Sequence, residues 1–259
     1  MSKGNVVALI QARIGSKRFH GKVLKLLMGK PMLWHIVRRV RAAKQVGRVV
    51  VIIPEAASDD PLAEFLEKND IDHFRGSNLD VLDRYYQAAT FLNAEIIVRI
   101  TADDPLKDPE IVDRAVDLFL KNQPTIDYAS NCSYDGSIQA TYPEGLEVEV
   151  LSYQCLKRIW KNARKNSERE HVTPYIFSHS SDFNIEGFSS EVDKSNMRWT
   201  VDYPSDFEFI EHIYQELYPR KNVFVMQDIL DFLENVNGIT ELNSGIVRYE
   251  GYLRSIQNE

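Results

Sequence analysis

Three short runs rich in β-branched residues limit what this chain can fold into: NVVALIQA at 5–12, RVVVIIP at 48–54 and EIIVRIT at 95–101. Each is apolar almost without interruption. That pattern marks strands covered on both faces, and two-sided burial belongs to parallel sheets sandwiched between helices. The segments between them supply the helices. KPMLWHIVRRVRAAKQV sets Met32, Leu33, Ile36, Val37 and Val40 at helical spacing behind Pro31, a favoured first helical residue. DDPLAEFLEKNDI, DVLDRYYQAATFLNA and DPEIVDRAVDLFLKN repeat the helical pattern, with a short strand at DHFRGS.

Strand and helix in turn predict an α/β fold, Rossmann-like, with a mainly parallel sheet flanked by helices and right-handed crossovers. Around 125–195 the pattern shifts toward Asn, Ser, Asp and Gly turns between extended pieces, which reads as a small β-rich insertion for an acceptor or a dimer contact. Within it GLEVEVLS alternates, so one face is solvated or faces a ligand. A helix at YQCLKRIWKNARK, a polar stretch NSEREHVTPYIFSH, a strand-like RWTVD and a helix at PSDFEFIEHIYQELY complete a single domain over 1–259.

Against a formal net charge of −7, residues 13–30 gather Arg13, Lys17, Arg18, Lys22, Lys25 and Lys30 directly behind the first strand. The acidic total argues against a nucleic-acid partner or a membrane-surface role, since both want a basic face. No apolar run reaches the roughly 18–20 residues of a span, and the first residues make too short a leader, so the chain is expected in the cytoplasm. Cys132 and Cys155 have no metal-like spacing and read as plain thiols. The local cations need a local reason, and the carboxyl end of a parallel strand is where open α/β sheets bind ligands. Gly15 and Gly21 let the backbone come close, while Arg13, Lys17, Arg18 and Lys22 supply charge for a triphosphate. The spacing fits neither the P-loop nor the dinucleotide fingerprint, and charge alone also allows a solvated basic turn.

QARIGSKRFHGKVLKLLMGKPML resembles the signature of the cytidylyltransferases that activate sugar acids for bacterial surface polysaccharides, especially the branch of spore-coat polysaccharide biosynthesis protein F. The resemblance continues through FRGSNLDVLDRYYQAA, VRITADDPLKDPEIVD, YPEGLEVEVLS, EREHVTPYIF and RWTVDYPSDFEFI, to about residue 235. It departs at His20, where Pro is usual, and at Ala102 and Asp104. It implies a nucleotidyltransferase using CTP and a sugar or sugar-acid acceptor and releasing pyrophosphate, with Mg²⁺ as cofactor and a homodimeric assembly. It also implies that Gln11, Ala12, Arg13, Gly15, Ser16 and Lys22 meet the nucleotide, with Arg13, Arg18 and Lys22 acting catalytically. Arg75 and Ser77 would lie near the base, although Asp80 beside them also reads as a helix N-cap.

Carboxylates that hold Mg²⁺ against a triphosphate belong at strand ends facing the phosphate loop. By resemblance Asp103, which would also touch the nucleotide, and Asp202 match these metal positions; Asp206 reads more simply as a first-turn acid, and Asp104 as a turn residue before Pro105. For the acceptor, Tyr142, Glu144 and Glu147 in TYPEGLEVEV and Arg169 and His171 in EREHVTPY are the candidates. A solvated strand face or a salt-bridged dimer contact would explain the same residues. Two other classes remain open from sequence: a sugar 1-phosphate nucleotidyltransferase using another triphosphate, and a metal-dependent glycosyltransferase.

Overall fold

The computed structural model describes residues 5–236 and 238–259. The first apolar run forms β1 (Val6–Gln11), and a loop leads to a hairpin of β2 (Leu26–Leu27) and β3 (Lys30–Pro31). There follow α1 (Met32–Arg41), β4 (Arg48–Pro54), α2 (Asp60–Lys68), β5 (His73–Gly76), α3 (Val81–Phe91), β6 (Ile96–Thr101) and α4 (Pro109–Lys121). The later part holds β7 (Tyr128–Ser130), β8 (Glu149–Ser152), α5 (Tyr153–Asn162), α6 (Asn166–His171), α7 (Pro174–Ser178) and β9 (Ile185–Gly187). The chain closes with α8 (Pro204–Leu217), α9 (Met226–Glu234) and α10 (Glu250–Gln257).

Seven strands make one sheet in the order β5-β4-β1-β6-β8-β7-β9. From β5 to β6 neighbours run parallel, β8 runs antiparallel to both β6 and β7, and β9 is parallel to β7. The period-2 alternation of side chains explains why the central strands are apolar throughout. Val6, Ala8 and Ile10 of β1 join Val49, Val51 and Ile53 of β4 in a core under α1, α4, α8 and α9. Val7, Leu9, Val50 and Ile52 point the other way, into a second core with α3, α5 and α7.

The segment 125–195 differs from the expected β-rich insertion. Its three strands extend the central sheet, and it also carries α5, α6 and α7. Tyr128, Val150 and Leu151 are buried in the two main cores, so there is no separate core for an appendage to close on. RWTVD makes only the bridge from Glu144 to Arg198. Its backbone is satisfied by loops instead: Glu144 N–H donates to Met197 O at 2.9 Å, Trp199 N–H to Glu144 O at 2.7 Å and Val201 N–H to Asp103 O at 2.8 Å. Cys132 and Cys155 are free and buried, and burial pushes the Cys132 thiol up to about 12.

His35 is a packed histidine. Its Nε2 lies 2.8 Å from the Leu27 carbonyl and its ring stands edge-on to Tyr214 and Tyr218. Burial lowers its pKa to about 4, with Arg39, Arg38 and Lys30 acting in the same direction against the Leu27 hydrogen bond. The folded state therefore favours the neutral ring. Its contribution is complete above about pH 6.5, the unfolded value, and is lost as pH falls toward 4, with a slope of about 1 kcal/mol per pH unit. Urea unfolding across pH 4–7 should show this loss. His35→Gln should make that slope shallower, and an unchanged slope would remove His35 as its source.

Candidate active site

The loop after β1 is shaped by its own backbone. Gly21 N–H donates to Ile14 O at 3.1 Å, and Asp59 at the head of α2 pins the loop by accepting from Ile14 N–H at 2.7 Å. Gly21 has φ +67, a left-handed conformation natural to glycine, and starts the single 3₁₀ turn Lys22–Leu24. That turn directs Lys22 inward, where 7% of the residue is exposed. Its Nζ donates to Val201 O at 2.6 Å, to Asp202 Oδ1 at 3.0 Å and to Asp103 Oδ2 at 3.4 Å. Burial alone would lower the Lys22 pKa, but Asp103 and Asp202 raise it above the ordinary lysine value.

Asp202 sits in a ring of cations. Arg18 Nη2 reaches Asp202 Oδ2 at 2.7 Å and Arg198 Nη2 approaches the same oxygen at 3.3 Å. Burial works to raise its pKa, yet Lys22 and Arg18 hold the carboxyl at about 2. Asp206 is fully buried in the first turn of α8, where it accepts from Asp202 N–H, Tyr203 N–H and Arg198 Nε at 2.8, 2.9 and 3.0 Å. It fixes the Asp202 turn from behind, in keeping with a first-turn acid. Asp104 is also structural in its contacts: its Oδ2 accepts from Thr101 Oγ1 at 2.8 Å and Lys107 Nζ at 3.0 Å. Burial pushes it up to about 7, with Lys107 opposing the rise and Asp103 adding to it. Lys107 Nζ also donates to Gly145 O and Glu147 O, tying the end of β6 to the 145–147 loop. Gly145, at φ +105, lies so close to Trp199 and Thr200 that an added Cβ would stand 2.8 Å from their backbone.

Across the cleft, β8 enters where β6 ends. Their antiparallel register pairs Arg99 with Glu149, and the two side chains form a buried ion pair. Glu149 Oε1 also accepts from Tyr128 OH at 2.8 Å and Thr173 Oγ1 at 2.5 Å. Thr173 is aimed there by a γ-turn: Val172 has φ +74, and Thr173 N–H donates to His171 O at 2.9 Å. A β-branched residue in the left-handed region is strained, and here it carries His171 into the cleft. Burial lowers the His171 pKa to about 4, with Arg99 and Arg13 acting in the same direction and Glu170 opposing, so the ring is neutral near pH 7.

Together these residues enclose a cleft of about 520 Å³. Gln11, Ala12, Arg13, Ser16, Arg18 and Lys22 line the side formed by the end of β1 and the loop after it, and Asp103 and Asp202 also line the cleft. Glu144, Glu147 and His171 line the far side. Gly15 is exposed on the loop outside the lining. Four further candidates lie away from the cleft. Arg75 pairs with Asp60 at 2.7 Å and donates to Ala56 O; Ser77 Oγ accepts from Asp80 N–H in the turn before α3. Tyr142 is buried with its hydroxyl accepting from Arg114, and Arg169 pairs with Asp80 at 2.6 Å. Sequence pattern alone misses Arg99, Arg198, Tyr134 and the chain's last residues, Arg248 to Ser255. The only signal is indirect: Arg99 interrupts an otherwise apolar strand.

Among the described residues no three His, Cys, Asp or Glu side chains gather as a metal cage. Asp103 and Asp202 approach one another across Lys22 Nζ. Mg²⁺ takes one or two protein carboxylates and completes its shell with phosphate and water oxygens. This donor set therefore fits an ion that arrives with a nucleotide. A cationic loop behind a parallel strand, facing two carboxylates in a cleft whose far side is lined by acidic residues, is the arrangement of a nucleotidyltransferase.

Comparison with known proteins makes the class specific. A cytidylyltransferase family model matches residues 7–229, and the chain belongs to that family. An uncharacterized protein of Methanocaldococcus jannaschii is 34% identical over 251 residues, covering 95% of this chain and 97% of its own. The spore coat polysaccharide biosynthesis protein SpsF of Bacillus subtilis is 29% identical over 244 residues, covering 92% and 98%. The structure of a cytidylyltransferase from Leptospira borgpetersenii superposes with a TM-score of 0.86 at 33% identity, covering 94% of this chain and 99% of that one.

Proposed function

We propose that the protein transfers the cytidylyl group of CTP to a sugar or sugar-acid acceptor and releases pyrophosphate, in the biosynthesis of a surface polysaccharide. The observation that carries this reading is Lys22 Nζ held between Asp103 and Asp202 at the mouth of the cationic loop. An acceptor hydroxyl attacks the α-phosphorus in line, its proton passes to water, and the P–O bond to pyrophosphate breaks. Arg13, Arg18 and Lys22 meet the charge that grows on the leaving group, so positioning and electrostatics supply the catalysis without a covalent nucleophile. Asp103 and Asp202 would hold Mg²⁺, which when bound supplies charge neutralisation at the phosphates. Glu144, Glu147 and neutral His171 face the acceptor and offer partners for its hydroxyls.

No helix of the described residues is long and apolar enough to cross a membrane. We place the activity in the cytoplasm, where nucleoside triphosphates are made, with a second copy of the chain covering the sheet edge that β9 leaves unpaired. The test is a thermal-shift panel of CTP, UTP, GTP, ATP and dTTP with and without Mg²⁺. A ligand at 100 times its Kd adds about 2.7 kcal/mol, so CTP with Mg²⁺ should give the largest shift. Equal shifts with every nucleotide, or none, would defeat the choice of CTP. Stabilisation by nucleotide-sugars alone would point to glycosyl transfer.

A further inference from the structure

After α9 the chain returns to the mouth of the cleft, beyond the residues 7–229 that the family model covers. There it touches four of the five residues that the sequence marks for the acceptor. Arg248 Nη2 donates to Glu147 Oε1 at 2.5 Å and its Nη1 to the Tyr142 carbonyl at 3.1 Å. Tyr249 N–H donates to Glu144 Oε1 at 3.2 Å. Ser255 Oγ lies 3.0 Å from His171 Nε2 and donates to Glu170 Oε2 at 3.0 Å. Glu250 anchors the segment on the nucleotide side, accepting from Tyr203 OH at 2.8 Å and Arg18 Nη1 at 3.2 Å.

The segment's apolar residues point the other way. No residue of α10 is buried, and Val247, Leu253 and Ile256 are exposed at 61%, 44% and 44%. A helix docked to complete a core would bury such residues; this one directs polar groups and two tyrosine rings at the cleft. Tyr252 packs on Tyr134 with centroids 4.4 Å apart, Tyr249 on Tyr134 at 5.1 Å and His171 edge-on to Tyr252 at 5.3 Å. These rings, tilted against one another, line one side of the cleft together with Glu147 and Glu170, and such a mixed aromatic and acidic lining suits a pyranose, which carries both apolar C–H groups and hydroxyls. Tyr249 is held at φ +59, a left-handed conformation that a tyrosine adopts only under constraint.

We propose that residues 248–255 are the acceptor-specificity element of this enzyme: Arg248 is a positioning residue that sets Glu147, and Tyr249 and Tyr252 with Tyr134 and His171 form the wall against which the sugar ring lies. This rests on the transfer reading above. The test measures pyrophosphate release by the full chain with CTP, Mg²⁺ and a panel of eight- and nine-carbon keto acids and hexose 1-phosphates, alongside CTP affinity by calorimetry. Arg248→Gln and Tyr252→Leu should each raise the KM of the acceptor used by the wild type about tenfold or more, with kcat reduced less and the Kd for CTP within twofold. Arg248→Lys and Tyr252→Phe should recover most of the KM. An acceptor KM within twofold of wild type in both variants, or a parallel loss of CTP affinity, would overturn the proposal while leaving cytidylyl transfer intact. A wild-type chain that binds CTP and releases no pyrophosphate with any of these sugars would instead overturn the transfer reading and this one with it.

Discussion

Replacing Lys22 by Ala should lower kcat by about 10²- to 10³-fold, the loss that follows removal of one preorganised transition-state donor. The buried Nζ is fixed by three oxygens, those of Val201, Asp202 and Asp103, so its charge is in place before any substrate arrives. All three N–H donors are engaged, so Lys22 acts on the leaving pyrophosphate through its charge, and a direct hydrogen bond would take the place of the longest contact, the 3.4 Å one to Asp103. CTP affinity should fall much less, because Arg13, Lys17 and Arg18 remain on the same loop. Single-turnover pyrophosphate release together with a CTP titration separates the two effects. A Lys22→Ala chain with wild-type kcat would take Lys22 out of the mechanism.

Glu149→Ala should destabilise the fold by about 3–5 kcal/mol, the usual consequence of breaking a buried pair from one side. Arg99 is 6% exposed and would keep only Gln11 Oε1, at 3.3 Å, as a side-chain partner. Tyr128 OH and Thr173 Oγ1 would lose their acceptor at the same moment, adding the desolvation cost of buried polar groups. In a chain of this size the melting temperature should drop on the order of 10 °C. The double change Arg99→Met with Glu149→Leu removes both charges and should recover much of that loss, since apolar replacements of buried pairs are often neutral. Thermal and urea unfolding of the three chains decide it, and a Glu149→Ala chain within about 1 kcal/mol of wild type would show that the pair is not what holds β6 to β8.

The central sheet was legible because burial on both faces writes itself into composition: Val6 to Ile10 and Val49 to Ile53 had no polar position to spare. Convergence of Lys22 and Asp103 was legible for a related reason, since each follows an apolar strand and β1 and β6 end side by side; Asp202 joins them from RWTVD, which is no strand of the sheet. Local residue pattern was a poorer guide where a side chain had a nearby partner. Arg75 follows a strand and precedes a helix, yet Asp60 lies close enough to claim it; Arg169 is claimed in the same way by Asp80. Nothing in RWTVD says that its backbone will be satisfied by the 144 loop and by Asp103 O rather than by a strand. The tyrosines of the last residues carry no recognisable motif, and their place is set by a return of the chain that periodicity cannot foresee.

The single reversal of direction at β8 has an effect on how such an enzyme can change. Nucleotide-side residues leave the outgoing ends of parallel strands, whereas Glu149 arrives on the incoming end of an antiparallel one and the closing tyrosines come from the terminus. The two sides of the cleft are thus drawn largely from different stretches of chain, tied together where Lys107 bridges Asp104 to the 145–147 loop, where Arg99 pairs with Glu149 and where Arg198 spans Glu144 and Asp202. On the reading proposed above, substitutions at Tyr249 and Tyr252 touch none of the contacts among Lys22, Asp103 and Asp202, so one side of the cleft can change while the other keeps its geometry.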